Sequence, residues 1–302
     1  AVLLKNEDGI LPFRHSQRLA VIGSMAKNIR YQGAGSSHIN PQKLSQPLDY
    51  LPGTEFAMGC NDHGDADESM IKEAVRVAEN ADAVVVFAGL PDRFESEGFD
   101  RDNMRLPDGH LKMIEEVSHA NKNTIVVLLS GCVVECEWAD SVKAILYMGL
   151  PGQAGGEAIA NLLYGKVNPC GKLAETWWSS YEDVPSSKIY GKTKDAVYEE
   201  GIYIGYRYCE KAGKKVRFPF GYGLSYTEFL YSDLEVTDHI VNVKVTNTGN
   251  VAGAEIVQMY IAAPQDGIHR PVRELKGFKK VWLKPGERCI LRIKRAFLYN
   301  MG

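Results

Sequence analysis

Residues 83–89 read AVVVFAG, and the fold of the first half of the chain is predicted from this run. The run is seven residues long, β-branched at its centre and free of charge, which is typical of a strand buried on both faces of a parallel sheet. Strands that alternate with helices predict a doubly wound, mostly parallel α/β sheet. Similar runs predict strands at 19–23, 55–58, 124–130 and 144–147, with helices at 67–80, from 106 onward and at 155–164.

A charged loop, FESEGFDR at 94–101, follows this strand. The loop contains three carboxylates and one arginine, and a second arginine, Arg93, comes directly before it. All five charged residues lie within nine positions: Arg93, Glu95, Glu97, Asp100 and Arg101. Because loops at the carboxyl ends of parallel strands form the ligand crevice of an open α/β sheet, this loop is a candidate site. Crowded carboxylates are expected to raise the pKa of one of them, as a general acid requires. The alternative is a solvated surface loop with local ion pairs.

A second loop, GAGSSHINP at 33–41, follows the strand at 19–23. A phosphate-binding loop is one interpretation of its glycines and serines. The spacing is not GxGxxG, however, and Pro41 stands where the following helix should run. The sequence therefore favours a close-packed loop on the substrate side of the sheet.

The chain divides into three predicted parts. Residues 1–175 form the α/β domain, and residues 176–226 contain twelve aromatic residues without a persistent helical or strand period, which predicts a connection packed on that domain. Residues 227–302 show short alternating strands with regular turns, as in a small β-sandwich. That sandwich ends before an expected closing strand, and residues 1–5 resemble the tail of a helix, so we expect a longer protein.

Composition excludes several classes of function. With 35 Lys and Arg against 38 Asp and Glu, the net charge of −3 argues against nucleic acid as a partner. No apolar stretch approaches the roughly 20 residues of a membrane span. The six cysteines include no CxxC pair, so neither a zinc site nor another metal site is predicted, and unpaired thiols favour a reducing compartment such as the cytoplasm. The oligomeric state stays open, homo-oligomers included.

Six motifs occur in order along nearly the whole chain. They are AVLLKN with GILP at 1–12, VIG at 21–23 with GAGSSHINP at 33–41, EGFDR at 97–101 with LP at 106–107, PGQAGGEAIA at 151–160 with NPCGKL at 168–173, GIYIGYRY at 201–208 and FPFGYGLSY at 218–226. Together they resemble the C-terminal part of glycoside hydrolase family 3, the β-glucosidase-like enzymes.

The resemblance implies a three-part enzyme: a catalytic (β/α) barrel, the α/β sandwich and a fibronectin-III-like sandwich. It implies a retaining exo-glycosidase in which a barrel aspartate attacks the sugar and a glutamate of the α/β sandwich serves as acid and base. Such a pair of carboxyl groups lies about 5–5.5 Å apart. No segment of this chain resembles the barrel, so the nucleophile is not in this chain, and the barrel could precede or follow it. No cofactor is implied.

The resemblance also assigns roles to residues of the charged loop. By motif position Glu97 is the acid/base, and Glu95 is the second candidate because the spacing before the aspartate varies in the family. Asp100 and Arg101 are expected to hold the loop in shape through ion pairing. We expect the chain to be inactive without the barrel.

The leading hypothesis is a β-glucosidase that removes terminal β-linked glucose from oligosaccharides or aryl glycosides. Tyr31, Gln32 and His38 would line the leaving-group subsite, with simple packing as the alternative. β-Xylosidase or exo-glucanase activity is an alternative within the same chemistry. A non-catalytic carbohydrate-binding scaffold is an alternative of a different class, although a scaffold has no need of Glu97.

Overall fold

The computed structural model describes residues 1–14, 16–192, 194–195, 197–237, 240–264 and 266–294. These residues form two compact units. Of the described residues, those within 1–167 and 179–181 form the first unit, and those within 168–178 and 182–294 form the second. Each unit is described separately below.

A six-stranded sheet is the centre of the first unit. Its order is β1-β6-β5-β4-β2-β3, in which β2 to β6 are parallel and β1 is an antiparallel edge strand. The mostly parallel sheet predicted from the sequence is thereby confirmed. The strands are β1 (Val2–Asn6), β2 (Leu19–Ile22), β3 (Glu55–Ala57), β4 (Ala83–Gly89), β5 (Thr124–Leu129) and β6 (Ala144–Tyr147).

The edge strand β1 corrects one expectation. Residues 1–5 do not form the tail of a helix, because Val2–Asn6 pair with β6 in antiparallel register. Val2, Leu3 and Leu4 are all buried in the core. A short apolar run buried on both faces fits a strand and a buried helix equally well, so the pattern alone cannot distinguish them. Pairing with the free edge of β6 decides the outcome.

Two α-helices of the first unit connect its strands, α1 between β3 and β4 and α2 between β4 and β5, and α3 follows β6. α1 and α2 have the apolar spacing predicted from the sequence, and the carboxylate of Asp67, the residue before α1, accepts the Met70 N–H. Among the described residues, no helix combines the length and the apolar character that crossing a bilayer requires. The helices are α1 (Glu68–Glu79), α2 (Asp108–Ala120) and α3 (Gly155–Leu163).

The central strand β4 is completely buried and ends at a residue that must be glycine. A Cβ atom on Gly89 would lie 1.9 Å from the carbonyl oxygen of Leu129 at the end of β5. Any larger side chain there would force β4 and β5 apart. The close approach therefore fixes the point at which the chain leaves the sheet and enters the charged loop.

A buried histidine supports the same end of β4. His110 on α2 is fully buried, and its Nδ1 atom lies 2.9 Å from the carbonyl oxygen of Gly89. Burial lowers the pKa of His110 to about 4, because the charged imidazolium would lose its hydration. His110 is therefore neutral in the folded protein over the whole range in which an exposed histidine would titrate.

This burial predicts a pH-dependent stability. Between the unfolded pKa of about 6.5 and the folded pKa of about 4, the unfolded chain binds one more proton than the folded chain. The free energy of unfolding should therefore fall by up to about 3 kcal/mol as the pH drops through this window. Urea unfolding at a series of pH values measures this change in the free energy of unfolding. Far-UV circular dichroism reports on the first unit, because its helical signal comes mainly from α1, α2 and α3, which all belong to that unit.

His119 offers a matched control on the same helix, because it is exposed. The His110→Gln variant should lose this component of the pH dependence, and the His119→Gln variant should retain it. Equal pH profiles for wild type and His110→Gln would contradict the assignment.

The second unit contains a short helix and antiparallel sheets. β7 pairs with β8, β11 pairs with β12, and β13, β10 and β9 form a three-stranded sheet in that order. The predicted β-sandwich strands are confirmed. The elements are β7 (Trp177–Trp178), α4 (Tyr206–Lys211), β8 (Val216–Phe218), β9 (Phe229–Val236), β10 (Ile240–Asn247), β11 (Gly253–Ile261), β12 (Glu274–Leu283) and β13 (Arg288–Lys294).

The core of the second unit lies between its antiparallel sheets. Alternate residues of the strands point inward, as the alternating sequence pattern predicts. Most of the aromatic-rich stretch at 176–226 falls in this unit, where it forms β7, α4 and β8. The buried core residues are Val243, Val245, Val257, Met259, Leu283, Leu291 and Ile293.

Candidate functional site

Two loops of the first unit meet at the carboxyl edge of the sheet. We call residues 30–41, which follow β2, the serine loop, and residues 90–101, which follow β4, the acid loop. β2 and β4 are parallel neighbours in the sheet, so both loops leave the same edge. The charged loop predicted from the sequence is thus brought against the Gly/Ser loop, at the edge where open α/β sheets form their ligand crevice.

Glu97 is held by the serine loop. Its Oε2 atom accepts a hydrogen bond from the Ser36 backbone N–H at 3.0 Å and a second, short one from the Ser36 hydroxyl. The close approach depends on Gly35, because a Cβ atom there would lie 2.8 Å from Glu97 Cβ. Gly35 also has a φ of +80°, a conformation that side chains rarely adopt. Glu97 itself remains exposed.

The electrostatics of Glu97 correct a second expectation. The hydrogen bond from the Ser36 hydroxyl, followed by that from its backbone N–H, lowers the pKa of Glu97. The expectation that crowded carboxylates raise a pKa is therefore wrong for Glu97 in this structure. The physical reason is that the two donors stabilise the charged form, while an exposed carboxylate loses little hydration. Counting charges along the loop overlooks donors that come from another loop.

Glu95 has a different environment. Its side chain is 19% exposed, and its Oε2 atom accepts the Gly131 N–H at 2.9 Å in the turn after β5. A Cβ atom on Gly131 would lie 2.8 Å from Glu95 Oε1, so this turn is also shaped around a carboxylate. Burial and the adjacent Glu95 carboxylate raise the pKa of the Cys132 thiol to about 11. The two glutamates therefore face different loops.

Arg30, at the start of the serine loop, is absent from the residues that the sequence predicts. Its side chain is only 6% exposed. It donates to the carbonyl oxygens of Leu90, Gln32 and Glu95 at 3.1, 2.5 and 3.0 Å. It also forms a short ion pair with Asp92. A single arginine that follows a strand carries no sequence signal of this role, since most of its partners are main-chain carbonyls.

The predicted substrate-binding residues line a cavity beside the acid loop. Gln32 donates to the Tyr31 hydroxyl at 2.6 Å, and Ile39 N–H donates to Gln32 at 2.9 Å. His38 Nε2 lies 3.5 Å from an Asp92 carboxylate oxygen. The cavity has a volume of about 330 Å³, near the lower end of the range of about 300–1,000 Å³ for small-molecule sites. A role of these residues in substrate binding stays a prediction.

Arg101 connects the acid loop to the turn after β5. It donates to Cys132 Sγ at 2.9 Å and to the carbonyl oxygens of Val133 and Arg105 at 3.4 and 3.1 Å. Asp100, its neighbour, is exposed. Arg101 thus supports the loop through hydrogen bonds, and the ion pairing expected of Asp100 and Arg101 stays a prediction.

Metal sites in proteins need several ligand side chains that converge on one point. In the described part of the chain, no group of three or more His, Cys, Asp or Glu side chains is placed to hold a metal ion. None of the six cysteines, all of which the structure describes, forms a disulfide bond. The chemistry offered by this edge of the sheet is that of carboxylates and hydrogen-bond donors.

Comparisons with known proteins place this geometry in context. Residues 1–206 match the family model described as the glycosyl hydrolase family 3 C-terminal domain, and residues 255–294 match the fibronectin type III-like domain. Thermostable beta-glucosidase B of Acetivibrio thermocellus is 45% identical over 99% of this chain and 42% of its own length. An exo-alpha-(1->6)-L-arabinopyranosidase of Bifidobacterium breve is 43% identical over the same shares.

Solved structures show the same similarity. The GH3 beta-glucosidase of Bifidobacterium adolescentis superposes with a TM-score of 0.93 at 42% identity, over 98% of this chain and 45% of that one. The beta-glucosidase of Kluyveromyces marxianus in complex with glucose has a TM-score of 0.92 at 26% identity, over 97% and 55%. This chain therefore spans less than half of the length of the curated relatives it matches.

Proposed function

Because the chain belongs to glycoside hydrolase family 3, we propose that it supplies the general acid/base of a retaining, exo-acting β-glucosidase. The observation that supports this most directly is the placement of Glu97. It is an exposed carboxylate at the carboxyl edge of the sheet, oriented by Ser36 and backed by Gly35. A carboxyl group that is held in place yet open on one side suits proton transfer to a bound molecule.

Glu97 suits this role better than Glu95. The Glu95 carboxylate is largely buried and accepts the Gly131 N–H. To reach a glycosidic oxygen it would have to leave this partner. The contacts of Glu95 support a role in holding the acid loop. The Glu97 side chain is exposed, so a substrate bound over the loop could contact it.

The proposed reaction uses two carboxyl groups. The nucleophile, an aspartate of a barrel outside this chain, attacks the anomeric carbon, and the proton of Glu97 passes to the departing glycosidic oxygen. The two carboxyl groups would lie about 5–5.5 Å apart. Glu97 then removes a proton from the water that attacks the glycosyl-enzyme intermediate, and the sugar leaves with its anomeric configuration retained.

To donate a proton, Glu97 needs a higher pKa than it has in the exposed loop, where the hydrogen bonds from Ser36 lower it. A barrel and a substrate that cover the acid loop would remove water from Glu97 and bring the nucleophile's negative charge near it. Both changes raise the pKa of a carboxyl group. In this proposal the barrel completes the site electrostatically as well as sterically, and the chain by itself is not catalytic.

The sugar is the less defined part of the proposal. Terminal β-linked glucose is the leading substrate, with β-xylosides and longer β-glucans as alternatives. The relatives named as arabinopyranosidases, at 43% and 42% identity, add α-L-arabinopyranosides as a further candidate. An α-L-arabinopyranoside has a six-membered ring without the exocyclic CH₂OH of glucose, so a pocket for that group would discriminate between the two.

The test uses the full-length enzyme that contains this chain. We expect hydrolysis of 4-nitrophenyl β-D-glucopyranoside to exceed that of the β-D-xylopyranoside and the α-L-arabinopyranoside. Proton NMR during early turnover should show β-glucose as the first product. A preference for the arabinopyranoside would change the substrate assignment. α-Glucose as the first product from the β-glucoside, or no hydrolysis of any of the three glycosides, would contradict the mechanism.

A further inference from the structure

We propose that Arg30 is a positioning residue for Glu97, which holds the acid loop and the serine loop in one fixed arrangement. This inference rests on the proposed function of Glu97. Arg30 does not contact the Glu97 carboxylate. It acts on the segments that carry Glu97 and its partner Ser36.

The contacts of Arg30 cover the acid loop from its first residue almost to Glu97. The guanidinium binds the Leu90 carbonyl where the chain leaves β4, the Asp92 carboxylate, and the Glu95 carbonyl two residues before Glu97. It also lies 3.9 Å from the Glu95 carboxylate. Three successive points of the loop are thus bound to one buried side chain.

The same guanidinium also binds its own loop. It donates to the Gln32 carbonyl, which lies four residues before Ser36. Ser36 in turn donates to Glu97. The two loops are therefore joined at one end by Arg30 and at the other by the Ser36–Glu97 hydrogen bonds. If the Arg30 contacts are lost, the connections described between the loops are the exposed Ser36–Glu97 hydrogen bonds and the exposed His38–Asp92 contact.

The arrangement requires the shape of an arginine. A guanidinium carries five N–H groups in a rigid plane, whereas a lysine ammonium has three N–H groups on one atom. Arg30 spreads its bonds over carbonyl oxygens of both loops and the Asp92 carboxylate. A lysine at this position could neutralise Asp92 but could not reach all of the carbonyl groups at once.

The test compares substrates with poor and good leaving groups in the full-length enzyme. For Arg30→Ala we expect kcat/KM on methyl β-glucoside to fall by roughly 10- to 100-fold, because displacing a catalytic group by about 1 Å costs on this order. On 2,4-dinitrophenyl β-glucoside, which needs little protonation, the loss should stay below about 3-fold. Arg30→Lys should give an intermediate loss with the same substrate dependence.

A merely structural role would give another result. Loss of folded enzyme lowers the rates on both substrates by the same factor, so equal losses for Arg30→Ala would overturn the proposal. If Arg30→Ala does not fold, Arg30→Lys decides by the same criterion. Arg18→Ala is the matched control, because Arg18 forms an exposed ion pair with Asp82 and its loss should leave both rates unchanged.

Failure of this inference can be distinguished from failure of the proposed function. In a Glu97→Gln background, Arg30→Ala should add no further substrate-dependent loss, since the group that Arg30 positions is already gone. If Glu97→Gln shows no dependence on the leaving group, the proposed function fails. If the rate loss of Glu97→Gln depends on the leaving group and that of Arg30→Ala does not, only the role of Arg30 is overturned.

Discussion

Replacing Glu97 with alanine in the full-length enzyme is expected to lower kcat/KM on alkyl β-glucosides by about 10²- to 10⁴-fold, the usual contribution of general acid catalysis. The loss should be much smaller on 2,4-dinitrophenyl β-glucoside, because this leaving group departs without a proton. Steady-state kinetics on both substrates measure the difference. The physical reason is that kcat/KM covers the steps up to formation of the glycosyl-enzyme intermediate, and in those steps the missing carboxyl group serves only to protonate the leaving oxygen.

Azide provides an independent check of the same variant. With a good leaving group the glycosyl-enzyme intermediate still forms, and azide can attack it without the help of a base. We expect azide to restore turnover of Glu97→Ala and to give a β-glucosyl azide. Glu95→Gln is the matched control, since it retains Glu97 and should show no rescue. Equal losses on both substrates for Glu97→Ala, without rescue, would remove Glu97 from the acid/base role.

Gly35→Ala is expected to lower kcat/KM on alkyl β-glucosides by roughly 100-fold through displacement of Glu97. The new methyl group would lie 2.8 Å from Glu97 Cβ and 3.1 Å from its Oε2 atom. Contacts this short force either the carboxyl group or the serine loop to move. The same kinetic comparison between alkyl and dinitrophenyl glucosides reports whether protonation is the step affected.

Gly53→Ala separates this effect from backbone strain. Gly53 has a φ of +74°, close to the +80° of Gly35, but a Cβ atom there would have nothing within 4 Å. We therefore expect Gly53→Ala to cost about 1 kcal/mol of stability and to leave the kinetics unchanged. Equal activity losses for the two variants would show that strain, rather than contact with Glu97, is responsible.

The core of the fold was predictable because burial leaves a pattern. The uncharged run of β4 and the apolar spacing of α1 identify these elements to within a residue or two. The edge strand β1 was not predictable in the same way. Its run of apolar residues fits more than one structure, and the partner that decides between them, β6, lies more than 130 residues away.

The candidate site was predictable only in its motif residues. Glu97 follows from the resemblance of EGFDR to a family motif, and its position at the sheet edge follows from the strand before it. The contributions of Ser36 and Arg30 could not be predicted, because they act through hydrogen bonds between loops that are far apart in sequence. For the same reason, the direction of the pKa shift of Glu97 could not be obtained from the charges of its own loop.

The contacts described for Glu97 and Arg30 all lie within the first unit. With the role proposed for Glu97, an α/β unit that orients this carboxyl group by itself is suited to exchange between enzymes by gene fusion. In a chimera with another family member's barrel, the orientation of the carboxyl group would be inherited from this unit.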